Sequence, residues 1–347
     1  MKFVNARVLP AVSVFALVLA GAGCSAGQGA QGPQGPLEKT HLVVDDFPSV
    51  DSAGLYIAEQ EGLFKAQGLD VTIVPIFTSS QQTVTDIEKG KADISSGDYV
   101  TYMDDELQDN AHLEIIGEAS ILQPNQLALF VKAGSKIEHL SQLEDKKVSV
   151  AGHDDIATLL IDSLLADNGV PSSKVVLIPG TPLPADPALI DKGVFTAAPI
   201  PEPFVSEGEQ QFGLEELADL DQGGTENFPI QGFAVTKAWA QQNPNALKAF
   251  VTALDQGQQI ADTDRAAVEK AIEQPPLKVA RGIAAVIALP DFPTAIDPIR
   301  LQRVLDDMIQ FGFVAKKDAS FNVSSISYAG NLATTAGPDG ASTAGNG

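Results

Sequence analysis

From His41 onward the chain alternates short apolar runs with amphipathic stretches, and the first group sets the pattern for the rest. Leu42, Val43 and Val44 form a run rich in β-branched residues. It ends in a polar corner, Asp45 to Asp51, that contains Pro48 and Ser49, so a strand stops there. Ser52 to Glu61 supplies Leu55, Ile57 and Ala58 for a short helix, Gly62 and Gly68 interrupt the chain, and Val71 to Val74 resume an apolar strand. Two strands joined through a helix lie parallel, and open α/β sheets place ligands outside the carboxyl ends of such strands. The corner Phe47 to Ser52 is therefore the first candidate binding loop.

The alternation continues. Gln82 to Glu88 reads as a helix stopped by Gly90, Ala92 to Ser95 as a strand, and Ser96 to Tyr99 as a second loop at a strand end. Strands are predicted at Leu113 to Ile116, Leu127 to Val131, Lys147 to Val150, Val175 to Ile178, Val194 to Ala197 and Gly232 to Val235. Ser141 and Glu144 have the spacing of a capping box. The clearest helix is Asp154 to Asn168: Ile156, Leu159, Leu160, Leu164 and Leu165 share one face, Asp154 and Asp155 suit the positive end, and Gly169 suits the stop. From Asn243 the pattern is almost wholly helical, with Pro244 opening one helix and others at Ala266 to Ile272, Val279 to Ala288 and Ile299 to Phe311. The fold class is α/β, with two similar lobes, the second inserted into the first.

Both ends depart from this pattern. Lys2 and Arg7 precede an apolar stretch, Val8 to Ala20, and the small residues Gly21, Ala22 and Gly23 lead to Cys24, so residues 1–23 read as a secretory signal. A cysteine after small residues resembles the lipobox of bacterial lipoproteins, with Gly21 where that motif has Leu; the resemblance implies lipidation of Cys24. Residues 24–38 read as a flexible linker and 330–347 as a disordered tail. Lobe 1 is expected at 39–131, the inserted lobe 2 at 132–228, and the helical continuation of lobe 1 at 229–329.

Composition narrows the functions. The 347 residues are 44% hydrophobic, enough for real cores, and carry 45 acidic against 22 basic residues, a formal charge of -23. That balance excludes nucleic acid as a natural partner. One cysteine leaves neither an internal disulfide nor a CxxC pair. The sequence has no GxSxG, HExxH, P-loop or GxGxxG motif, and His41, His112, His139 and His153 lack metal-ligand spacing, so no enzyme, metal site or cofactor is expected.

A binding reading draws on the loops after strands: Phe47, Ser49 and Ser52 in the first corner, Ser96, Asp98 and Tyr99 in the second. His153, Asp154 and Asp155 stand at a helix start in the inserted lobe, and Glu202 follows a strand. Each also has a plain structural use. The aspartates and Ser52 can cap helices, Phe47 and Tyr99 can fill the core, Glu202 can face solvent and His153 can sit in a loop. As a group they are polar and aromatic residues that two facing lobes would bring together. The candidate loops hold no Lys or Arg, which disfavours an anionic ligand and suits a neutral or cationic nitrogen compound.

The segment GLYIAEQEGLFKAQGLDVTIVP, with DDFPSVDSA before it, resembles the opening of periplasmic-binding-protein-like receptors of the thiamine-pyrimidine and sulfonate/nitrate/taurine group. KGKADISSGDY, LEDKKVSVAG and APIPEPF extend the likeness more loosely, over roughly residues 40–315. The resemblance implies a two-lobed type II fold and a monomeric lipoprotein on the outer face of a bacterial membrane. Such a receptor hands a small molecule, for example a thiamine-related pyrimidine, to an ABC permease with its ATPase. Binding of a small oxyanion, or a sensor role without a transporter, are the alternatives.

Overall fold

The computed structural model describes residues 35–109 and 111–333. The expected signal segment, Cys24, most of the linker and most of the tail lie outside the described residues. The expected α/β class with two sheets is what the chain adopts.

Strand β1 (His41–Asp46) buries Leu42 and Val44 and ends on two carboxylates. Helices α1 (Ala53–Gln60) and α2 (Leu63–Ala66) lead to β2 (Asp70–Pro75), and α3 (Ser80–Glu88) leads to β3 (Ile94–Asp98). β2 and β3 both run parallel to β1, as a strand–helix–strand path requires. Helix α4 (Tyr99–Asp104) and β4 (Leu113–Ile121) follow. The chain then enters a second sheet with β5 (Leu127–Val131), β6 (Lys147–Val150), α5 (Ile156–Asp167), β7 (Val176–Pro179), α6 (Asp186–Asp191), β8 (Ala197–Pro201), α7 (Phe204–Phe212) and β9 (Glu215–Asp219). It returns in β10 (Pro229–Thr236), which inserts antiparallel between β3 and β4. The sheet orders are β2-β1-β3-β10-β4 and β7-β6-β8-β5-β9.

The first sheet is closed by helices α8 (Lys237–Gln242), α9 (Pro244–Thr263), α10 (Arg265–Ile272), α11 (Arg281–Ala284) and α12 (Pro298–Phe311). Helix α9 packs on α1 and α2; Phe64 and Phe250 stack at 4.9 Å between centroids. No helix among the described residues is long and apolar enough to cross a membrane.

Several expectations need correction. The boundary near Val131 puts β5 in the first lobe, but all five of its residues are buried and it pairs with β8 and β9. The chain therefore leaves the first sheet between Ile121 and Leu127; an apolar run does not say which sheet it joins. The helix expected over Val279 to Ala288 is a single turn. Ala288 N donates to Glu202 Oε1 at 3.3 Å and so is not free for a helix ladder.

The Ser141–Glu144 box is replaced by Gln142, whose Oε1 accepts from the N–H groups of Glu138 and His139 at 2.7 and 2.9 Å. The strand expected from Val194 starts at Ala197. Glu38, expected in the linker, accepts from Asn245 N and Ala246 N at 3.0 and 3.1 Å and so caps α9. Asn331, expected in the tail, is buried and donates to Ile116 O at 3.0 Å.

Candidate functional site

The carboxyl ends of β1 and β3 face the start of α5 and of α6, and a cavity of about 60 Å³ lies between them. At roughly 10–15 Å³ per water, it holds a handful of waters or one compact molecule. The first lobe contributes Phe47, Ser49, Asp51 and Asp98, with Gln231 from β10. The second contributes Asp155, Asp186 and an apolar wall that includes Ile156, Leu183 and Pro199. Gln126, in the crossing between the sheets, closes one side. Among the described residues no Lys or Arg lines the cavity.

The corner after β1 is shaped by its own polar groups. Ser49 caps the turn Val50–Ser52 by accepting from Asp51 N, and its hydroxyl donates to Asp51 Oδ2. Ser52 Oγ and Tyr56 OH donate to the fully buried Asp46 at 2.6 and 2.5 Å. Gln231 Nε2 donates to Ser52 Oγ and to Ser96 Oγ, both at 2.9 Å, and so ties the ends of β1 and β3 to the returning strand. The lobes also touch directly: Val50 N donates to the Glu202 carbonyl at 3.2 Å, and Gln126 Nε2 to Asp51 Oδ1 at 2.9 Å.

Asp98 and Asp155 are the N-caps of α4 and α5. Asp98 accepts from Thr101 N and Thr101 Oγ1, each at 2.9 Å; Asp155 accepts from Thr158 N at 2.8 Å and Gly152 N at 2.6 Å. Burial, with the nearby Asp98 charge added, pushes Asp155 up to about 7. Burial alone pushes Asp186 up to about 7; Ser149 stands near enough to temper the shift but makes no hydrogen bond of ordinary geometry. Asp46, Asp51 and Asp98 are raised by burial as well, against the hydrogen bonds they accept.

Of the residues expected from sequence, Phe47, Ser49, Asp98 and Asp155 line the cavity. Ser52 and Ser96 lie one layer behind, holding Gln231. Four others are elsewhere. Tyr99 is fully buried in the core, edge-on to Tyr102 with 6.4 Å between centroids, because α4 turns it inward. His153 and Asp154 are exposed in the loop before α5 and do not line the cavity; Asp155, not Asp154, caps the helix. Glu202 is buried, and its carboxylate accepts from Ser206 N and Oγ at 3.1 and 2.7 Å, besides Ala288 N.

Sequence reasoning missed Gln126, Asp186 and Gln231 as lining residues and placed Asp51 only at the end of the polar corner. Asp186 had a signal, an acid between prolines at a helix start in TPLPADPALI. Gln126 and Gln231 had none. No group of three or more His, Cys, Asp or Glu able to hold a metal ion occurs among the described residues.

Solved structures with this fold include the alkanesulfonate-binding protein SsuA from Xanthomonas axonopodis pv. citri bound to MOPS. It is 16% identical with TM-score 0.68, covering 84% of this chain and 98% of that one. The periplasmic nitrate-binding protein NrtA from Synechocystis PCC 6803 is 18% identical with TM-score 0.70, covering 86% and 87%. The zinc-bound ligand-binding component of an ABC-type import system from Staphylococcus aureus is 15% identical with TM-score 0.69, covering 80% and 93%. At such identities the likeness shows the periplasmic-binding-protein fold. No curated protein sequence matches the chain. The family described as NMT1/THI5 like matches residues 49–265, which is more than half of the 347 residues and spans both sheets, and the chain belongs to that family.

Proposed function

We propose that the protein is an extracytoplasmic solute-binding protein that captures a small nitrogen compound, neutral or cationic, between its lobes and delivers it to an ABC importer. The observation that carries this reading is the cavity itself. Among the described residues Asp51, Asp98, Asp155 and Asp186 line it without a basic side chain, and an apolar wall completes it. An anion there would meet repulsion from several carboxylates, whereas ligand N–H groups find acceptors. The solved relatives from Xanthomonas axonopodis, Synechocystis and Staphylococcus aureus support capture by the same fold, and their sulfonate, nitrate and zinc ligands differ from one another. On this reading the ligand is bound and released unchanged. Lobe closure around it would form the surface that a permease reads.

A thermal-shift panel on ligand-stripped protein tests this, with pyrimidines, thiamine, amines, sulfonates, nitrate and bicarbonate. At a hundredfold excess over Kd, binding adds about 2.7 kcal/mol, a melting shift of several degrees. A response to sulfonates or nitrate alone overturns the reading. Membrane attachment is proposed to run through Cys24: wild type should enter a detergent phase and Cys24→Ser should not, since a diacylglyceryl anchor has the two chains stable attachment needs. Equal partitioning of the two proteins would remove the anchor from the proposal.

A further inference from the structure

The carboxylates around the cavity are not equivalent. Asp51 accepts from Ser49 and Gln126, Asp98 from two groups of Thr101, and Asp155 from the Gly152 and Thr158 N–H groups. Each is occupied by the protein itself. Asp186 is different: it is 98% buried and lines the cavity, its Oδ1 accepts no hydrogen bond, and the nearby Ser149 hydroxyl makes none either. Among the described residues no Lys or Arg lines the cavity to stand beside it.

A second acceptor shares this condition. Gln126 is fully buried and lines the same cavity, and its Oε1 is also without a partner. Its orientation is fixed from the other end, since the amide Nε2 donates to Asp51 Oδ1 at 2.9 Å and a carboxylate there requires the NH₂ side. Buried acceptors left unmade cost about 1–3 kcal/mol each, more for a charged one, and a ligand that donates to both recovers that cost. A compact group of a few heavy atoms fits in about 60 Å³. The lining also includes Leu127, Ile156, Leu183, Pro199 and Ile230, a surface for carbon rather than for further polar groups.

Resting on the solute-binding reading above, we propose that the ligand is a compact organic cation, a primary ammonium on a short hydrocarbon body. Its N–H donors are held by Asp186 Oδ1 and Gln126 Oε1 and its carbon faces the apolar wall. One N–H donor pairs with a carboxylate and another with an amide oxygen, which a tetraalkylammonium, having no N–H, cannot do.

Calorimetric titration of the full chain with n-propylammonium, and in parallel with n-propanol, propionate and tetramethylammonium, tests it. Saturable binding is expected for n-propylammonium alone. Asp186→Asn, which keeps shape and removes charge, should weaken that binding by tenfold or more, while Asp186→Glu should restore part of it. The melting temperature of each variant without ligand shows whether it is folded. Binding of n-propanol as tight as that of n-propylammonium, or affinity unchanged in Asp186→Asn, overturns the inference. So does saturable binding of a neutral pyrimidine that tolerates Asp186→Asn, and that outcome leaves the wider solute-binding reading standing. Absence of binding by every compound in both panels sinks the two together.

Discussion

Asp98 and Asp155 cap helices of different lobes, and the charge of the first reaches the second: burial and Asp98 together hold Asp155 near 7. Two carboxylates this close repel one another unless one is protonated or a cation lies nearby. The approach of the two helix caps is therefore coupled to what is positive beside them.

This gives a pH dependence with a definite sign. Asp155, Asp186 and Asp255 sit at about 7 in the folded chain, well above the ordinary carboxylate value. Between about pH 4 and 7 the folded state holds protons that the unfolded chain has released, so stability falls as pH rises through that window and levels off above it. Asp86, lowered chiefly by its bond to Lys91, and Glu38, which burial raises less than its hydrogen bonds lower it, work the other way, while Asp45 and Asp307, each pushed up to about 6 by burial, act with the three. The urea midpoint of ligand-free protein should be higher at pH 5 than at pH 8, and Asp155→Asn should flatten the difference. A midpoint that drops toward pH 5 contradicts the assignment.

Helices α1 and α9 approach at a pair of glycines. A Cβ on Gly257 would stand 2.2 Å from Gly54 O and 2.9 Å from Ala58 Cβ. Alanine in a helix interior gains up to about 1 kcal/mol over glycine, but an overpacked contact of this kind costs roughly 1–3 kcal/mol, and here the obstacle is backbone. Gly257→Ala should therefore lower the melting temperature by a few degrees. A melting temperature equal to wild type would show that the helices can part without loss.

Much of the architecture was legible because the periodicities are local. Leu42 and Val44 announce β1, and the Leu159–Leu160–Leu164–Leu165 face announces α5. The partner of β5 was not, since an apolar run records burial and not which sheet buries it. Half-visible is also the condition of the site. Residues at strand ends, Phe47, Ser49 and Asp98, were found by position, whereas Gln126 and Asp186 reach the cavity through a crossing segment and a short helix whose placement is purely tertiary. Tyr99 failed for the converse reason: it follows a strand end, but as the first residue of α4 its ring turns into the core.

Tyr99 also provides a test that separates core from site. Its ring is fully buried, and its hydroxyl, with no hydrogen-bond partner, lies where a Cβ on Gly232 would be 2.5 Å away. A buried hydroxyl without a partner costs about 1–3 kcal/mol, so Tyr99→Phe should be neutral or should raise the melting temperature slightly, and ligand affinity should not change. Tyr99→Ala, by contrast, opens a cavity in the core and should cost about 3–5 kcal/mol, the range for large aromatic truncations. Thermal melts of both variants, with calorimetry on whichever ligand the panel identifies, separate the two roles. A Phe variant as stable as wild type that has lost ligand binding would place the Tyr99 hydroxyl in the site after all.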